Sequence, residues 1–326
     1  MPTIAKNNMD GSVIHKNEYT TNSFNSSALV EDIKNIDVPS GKGTLSQWYF
    51  DGIRILHSRW NYNSYQNQQW ESDLDIVSLN FNLKGKVSIT DASLGNGLTL
   101  NALQCNMFYS NGYSGALQNM ELTSELFILQ FTKQAFLQLT QSLNDRIRTF
   151  GDKILKGGPV YLYDTHFFMD INMQNVIHSI INCPFKDGLK KMFLLSKCIE
   201  LLVLQSEAFN NVTAPKFFYC KTQLDQDRLV LARDYIREHL YDPPSLSELA
   251  KIVGTNEAKL KGGFREIFKT TVFGYLADLR LASAQKELKN TQKTISEIAD
   301  ELGYSSIHHF SNAFKKKFGI SPSLYR

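Results

Sequence analysis

The chain has 326 residues, 42% of them hydrophobic and 21% charged, with 35 Lys and Arg against 32 Asp and Glu. That length allows two domains and an ample core. The charge balance excludes a highly charged disordered chain and a protein that coats nucleic acid by bulk charge alone. No run approaches the roughly 18 consecutive apolar residues of a transmembrane helix, so no membrane partner is expected. Residues 1–20 lack a basic region followed by an apolar one, so no secretory signal is expected and the cytoplasm is the expected location. Cys105, Cys183, Cys198 and Cys220 form no CxxC pair. Reduced, packed thiols are expected rather than a disulfide framework or a thiolate zinc site.

Residues 1–40 are rich in Asn, Ser and Thr without a sustained period, which suggests a loosely ordered lead-in. Residues 41–212 form the first expected domain, β-strands to about residue 131 and helices after it. Val77, Leu79, Phe81 and Leu83 alternate with polar residues, Lys84-Gly85 is a turn signal, and Val87 and Ile89 resume the alternation. Gly95-Asn96-Gly97 is a further turn signal, and Phe127, Leu129 and Phe131 form a further alternating run. Short strands between frequent turns suggest a small antiparallel barrel or sandwich.

Trp48, Tyr49, Phe50, Trp60, Tyr62, Tyr65 and Trp70 cluster in this region. Trp48, Trp60, Tyr62 and Trp70 are candidates for lining a mostly apolar ligand site, and the alternative is that they build the core. Arg54 and Arg59 either meet an anionic ligand or lie on the surface. After Phe131 the period changes. Thr132 can cap a helix through Phe136, Leu137, Leu139, Leu143 and Ile147. A second starts after Asp170 and stops before Pro184. A third, over residues 186–209, is apolar nearly all round its middle, so it is either buried on several sides or a subunit-pairing helix. Residues 213–224 are expected to be a linker, following the cue of Asn210-Asn211-Val212-Thr213-Ala214-Pro215.

No catalytic constellation emerges. His57 and His166 are isolated, His178 sits beside Ile177 and Ile180 as a structural residue would, and there is no Gly-rich phosphate loop, GxSxG elbow or HExxH. No cofactor, metal or catalytic residue is expected.

The most informative feature is a repeat. Ser247-Glu248-Leu249-Ala250 recurs as Ser296-Glu297-Ile298-Ala299, and Gly254 recurs as Gly303. Leu260, Phe264, Arg265 and Phe268 then recur as Phe310, Phe314, Lys315 and Phe318. Each copy has a short helix with a small Ala, a Gly suited to a left-handed helix end, a turn, and a second helix with apolar residues at i, i+4 and i+8. This is a helix-turn-helix layout whose second helix can enter a major groove. A helical wheel puts Ala258, Lys259, Gly262, Arg265 and Lys269 on the exposed side in the first copy. In the second it gives Ser305, His308, Asn312, Lys315 and Lys316. Small or polar residues near the helix start and basic ones toward its end suit base edges and phosphates. The charge agrees, since residues 221–326 hold 17 basic and 13 acidic residues.

Residues 225–326 closely resemble the AraC/XylS-type DNA-binding domain. The resemblance rests on Leu249-Ala250, Phe264, Tyr275-Leu276, Leu279-Arg280-Leu281, Ile298-Ala299, Gly303-Tyr304, His309-Phe310-Ser311, Phe314-Lys315, Phe318-Gly319, Ser321-Pro322 and Tyr325-Arg326. It implies seven helices, two helix-turn-helix units joined by a long helix at about residues 272–289, and recognition helices entering successive major grooves of promoter DNA. It also implies transcription control, most often activation, with RNA polymerase as a partner in that case. Lys259-Leu260-Lys261, Gly263-Phe264 and Thr271-Val272-Phe273-Gly274-Tyr275-Leu276 are similar to the branch of pyochelin-type siderophore regulators. The first domain would then pair subunits into a homodimer and sense a small-molecule effector. A ligand-free regulator and an enzyme fused to a DNA-binding domain are the alternatives.

Two departures from the family pattern stand out. Gly262-Gly263 lies within the first recognition helix, each Gly costing about 1 kcal/mol against Ala. Close approach to the sugar-phosphate backbone and less base readout by the first unit are therefore expected. Lys269 stands where the second copy has Gly319, so the first helix is expected to end differently. In the second unit Asn312 can pair with adenine and His308 can donate to guanine or phosphate, or both stay solvated. Lys315, Lys316 and Lys317 are expected at phosphates or in solvent, and His309 at the helix crossing.

Overall fold

The period-two runs become strands and the capped, period-3.6 runs become helices in a computed structural model. It describes residues 3–7, 13–17, 21–91, 98–140, 145–157, 159–162, 167–210 and 218–326. The chain divides into two units, Met1–Ala214 and Pro215–Arg326. Gly95-Asn96-Gly97, Leu143, His166 and Asn211-Val212-Thr213-Ala214-Pro215 lie outside the described residues.

The first unit carries one antiparallel sheet. Its strands are β1 (Thr3–Asn7), β2 (Val13–Asn17), β3 (Val30–Val38), β4 (Gly41–Phe50), β5 (Ile53–Tyr62), β6 (Asn67–Lys84), β7 (Val87–Asp91), β8 (Leu98–Leu100), β9 (Gln104–Asn119), β10 (Thr123–Thr132), β11 (Val160–Tyr161) and β12 (Phe167–Phe168). The main path runs β3-β4-β5-β10-β6-β9-β7-β8, with β1 pairing β2 and β6. The lead-in expected over residues 1–40 is therefore corrected. Strand β3 pairs along β4 from Val30 opposite Tyr49 to Val38 opposite Gly41. It ends the strand order and exposes Glu31, Lys34 and Asn35, so the polar composition that suggests a loose segment belongs to a charged edge strand.

Side-chain alternation gives the sheet two faces. On one, Ile55, Leu79, Phe81, Phe127, Leu129 and Phe131 are fully or almost fully buried. Register pairs Phe127 with Phe81 and Leu129 with both Leu79 and Ile55. Aromatic contacts continue from this face into the helices, Phe131 to Phe136 at 6.3 Å and Phe136 to Phe150 at 5.8 Å between ring centres. The other face bends around a cavity, helped by a register shift between Ser72 and Asp75 in β6.

The helices of this unit are α1 (Lys133–Thr140), α2 (Asp145–Lys156), α3 (Ile171–Ile181) and α4 (Asp187–Asn210). Thr132 caps α1 by accepting from the Ala135 N–H at 3.2 Å, and Asp170 caps α3 by accepting from Met173 at 2.9 Å. Helices α1 and α2 cover the described part of the helix expected after Thr132, and residues 141–144 between them lie outside the described residues. No described helix is long and apolar enough to cross a membrane.

The second unit has seven helices among its described residues. They are α5 (Gln223–Glu238), α6 (Leu246–Ile252), α7 (Glu257–Phe268), α8 (Val272–Asn290), α9 (Ile295–Glu301), α10 (Ile307–Phe318) and α11 (Pro322–Tyr325). The repeat is structural. Ser245 with Glu248, and Thr294 with Glu297, form reciprocal capping boxes at the starts of α6 and α9. Gly254 and Gly303 hold φ of 72° and 69° after those helices, a conformation that favours glycine. The linker expected over residues 213–224 is shorter. Thr222 forms a capping box with Asp225, so α5 starts at Gln223, and the segment before it is fastened to α7.

Candidate functional site

Helix α10 keeps Phe310 and Phe314 in a core with Leu281, Ala284, Leu288, Ile298, Ala299 and Leu302. Its opposite side is open. Ser305, His308, Asn312, Lys315 and Lys316 are all exposed, as the wheel places them. Asn312 Nδ2 lies 3.1 Å from His308 Nε2, one turn away, so the two side chains form a joint polar tip. Lys317 does not join them, because its ammonium pairs with Asp278 on α8. His309 is not packed at a helix crossing. It is exposed, with Nδ1 3.1 Å from Ser305 Oγ.

The first unit's face is turned relative to the wheel. Ala258, Arg265 and Lys269 are exposed on α7. Lys259 instead reaches Asp225, Nζ to Oδ1 at 2.6 Å. Gly262 lies under a ring, since a Cβ built there would fall 2.4 Å from Tyr219 carbons. Lys261, absent from the wheel's exposed set, is exposed and belongs to the open side. The expectation that Gly262 admits a DNA backbone is corrected: protein fills that space. Helix α7 also ends as α10 does. Lys269 takes φ 56° beside the 81° of Gly319, so a left-handed cap forms without glycine.

In the N-terminal unit a cavity of about 200 Å³ lies within the curved sheet. Trp60, Tyr62 and Trp70 line it, with Leu56, Phe108, Leu126 and Ile128. Trp60 and Tyr62 stack at 5.5 Å. Trp48 does not line it. Its indole N–H donates to Glu31, and Lys190 of α4 lies 5.7 Å over its ring. Arg54 is a buried wall residue rather than a surface one, donating to Gln47 Oε1 at 3.1 Å and Gln130 Oε1 at 3.0 Å. Arg59 pairs outside the cavity with Glu125. Phe108, Leu126 and Ile128 escape sequence reasoning because they are distant in the chain from the tryptophans and only strand pairing unites them.

Burial pushes the Cys105 and Cys198 thiols well up, and pushes Cys220 up to about 12. That is opposite to what a reactive thiolate needs. Among the described residues no group of three or more His, Cys, Asp or Glu is arranged to hold a metal ion.

Comparison with known proteins agrees with both units. Residues 249–326 match the helix-turn-helix domain family. Residues 43–217, over half of the chain, match the family described as the regulatory protein PchR N-terminal domain. The chain belongs to that family. The regulatory protein PchR of Pseudomonas aeruginosa is 37% identical over 123 residues, which are 38% of this chain and 42% of that protein. The chain thus spans less than half of PchR. The probable transcriptional regulator LumQ of Photobacterium leiognathi is 24% identical over 250 residues, 74% of this chain and 85% of its own. Among solved structures, wild-type ToxT from Vibrio cholerae is similar at 13% identity, covering 92% of this chain and 95% of ToxT, with a TM-score of 0.32. A helix-turn-helix domain thus follows a PchR-type N-terminal domain in one chain.

Proposed function

We propose that the chain regulates transcription by binding double-stranded promoter DNA, with α10 reading bases and α7 contributing mainly phosphate contacts. The observation that carries this is the open side of α10. Its opposite side is fixed in the core, while His308 and Asn312 project together and Lys315 and Lys316 are exposed toward the helix end, with no ion-pair partner among the described residues. Polar tips that can reach base edges, followed by cations, match groove entry by a helix.

The N-terminal unit then has two tasks. Its cavity takes a small, mostly apolar molecule. Exposed Leu189, Met192, Ile199 and Val203 on α4 pair two subunits. A ligand alters DNA binding only if it binds one arrangement of the protein better than another. Activation, with contact to RNA polymerase, is the mode that the resemblance of residues 225–326 supports.

Duplexes enriched by the full chain from a random-sequence pool test the assignment. His308→Ala and Asn312→Ala are expected to change the enriched sequence. Lys316→Ala is expected to weaken all duplexes alike and to flatten the log–log salt dependence by about 0.9. Equal, sequence-independent losses from all three would contradict base reading by α10.

A further inference from the structure

Adjacent glycines inside a recognition helix weaken it, and the structure shows what needs the space. A Cβ at Gly262 would fall 2.4 Å from two Tyr219 ring carbons, and one at Gly263 would fall 2.5 Å from Cys220 Sγ and 2.6 Å from Leu229 Cδ1. The segment before α5 therefore lies flush along one flank of α7. It is fastened there. The Glu266 carboxylate accepts from the backbone N–H groups of Phe218 at 2.7 Å, Tyr219 at 2.9 Å and Cys220 at 3.2 Å. Cys220 is buried, and Lys259 ties the same flank to Asp225. Peeling this strap away would expose Cys220 and strip Glu266 of three donors, so it is built as a fixed part of the surface.

Tyr219 itself is not buried. It remains 37% exposed above Gly262, between the strap and the open side that carries Ala258, Lys261 and Arg265. Its hydroxyl has no hydrogen-bond partner among the described residues. Phe218 beside it is 71% exposed, and the Lys221 ammonium lies 5.7 Å from the Phe218 ring centre. We propose that Tyr219 is the DNA-contacting side chain of the first helix-turn-helix unit at the place where α7 carries Gly262. The proposal rests on the DNA-binding function above. The major groove is about 12 Å wide and admits one helix, so a group on the helix flank faces a phosphate wall. There the phenol O–H donates to a phosphate oxygen and Lys221 adds charge.

The test uses the full chain, a random-sequence duplex pool, and the Tyr219→Phe and Tyr219→Ala variants. Tyr219→Phe keeps the ring over Gly262 and is expected to retain the wild-type thermal midpoint. It is expected to bind the wild-type-enriched duplex roughly tenfold more weakly, the size expected for a lost hydrogen bond to a charged group. Tyr219→Ala is expected to lose more. Wild-type affinity in both variants would overturn the proposal while leaving DNA binding intact. So would tighter binding by either, which would make the strap a shield. If Tyr219→Ala does not fold, Tyr219→Phe alone decides. A wild-type chain that enriches no duplex would overturn the DNA-binding function and the proposal with it.

Discussion

Glu125, between His57 and Arg59, has a carboxyl held well below the ordinary carboxylate range. Burial alone would raise its pKa, but hydrogen bonds from His57 Nε2 and Arg59, both at 2.8 Å, hold it down at about 2. The folded state thus favours the ionised form. Its contribution is complete above the ordinary value of 4.5 and is lost as pH falls from there toward 2. With allowance for its partial exposure, Glu125→Gln is expected to lower the stability of this unit by about 2 kcal/mol at pH 7. Urea unfolding of the full chain measures it, and the gap to wild type should narrow below pH 4.5. A gap that stays constant on acidification would contradict the assignment. The pair itself is invisible in the sequence, where His57 and Glu125 look unrelated; only the pairing of β5 with β10, which sets Glu125 opposite Arg59 and diagonal to His57, brings them together. Trp48 teaches the same lesson from the other direction. It clusters in sequence with Trp60 and Trp70, yet it meets Glu31 and Lys190 rather than the cavity.

Among the elements, α4 carries an unusual surface. Leu194, Cys198, Leu201 and Leu202 are buried, while Leu189, Met192, Ile199 and Val203 are exposed. The exposed four stand 3, 7 and 4 residues apart on one side of the helix, with exposed Ser196 filling the gap in the three-and-four spacing of a helix–helix seam. Together Met192→Glu and Val203→Glu are expected to convert a dimer of the full chain to monomer in sedimentation equilibrium, without changing its circular dichroism. A wild-type monomer at high protein concentration would rule out pairing through this face. The starts of α1 and α3 are legible in the sequence because Thr132 and Asp170 cap them, whereas the Thr222 cap of α5 lies inside the expected linker. Strand β3 is not legible, because an edge strand needs only one apolar side and its charges mask the alternation. Which side of α7 is open is not legible either. Its flank is set by Phe218 to Cys220, which meet Glu266 from far along the chain.

At the scale of the whole molecule, the repeat is the part that sequence shows best. Two copies of a capped helix, a left-handed glycine and a second helix with aromatic core residues follow from local rules, so they survive without knowledge of long-range pairing. The cavity is the part it shows least, since its walls come from strands β3 to β7, β9 and β10. The most direct measurement is hydroxyl-radical footprinting of the full chain on a duplex that it enriches. Two protected patches on one face of the DNA, about one helical turn or 10 bp apart, are expected if α7 and α10 enter successive grooves. A single patch, or patches on opposite faces, would contradict simultaneous engagement of the two units.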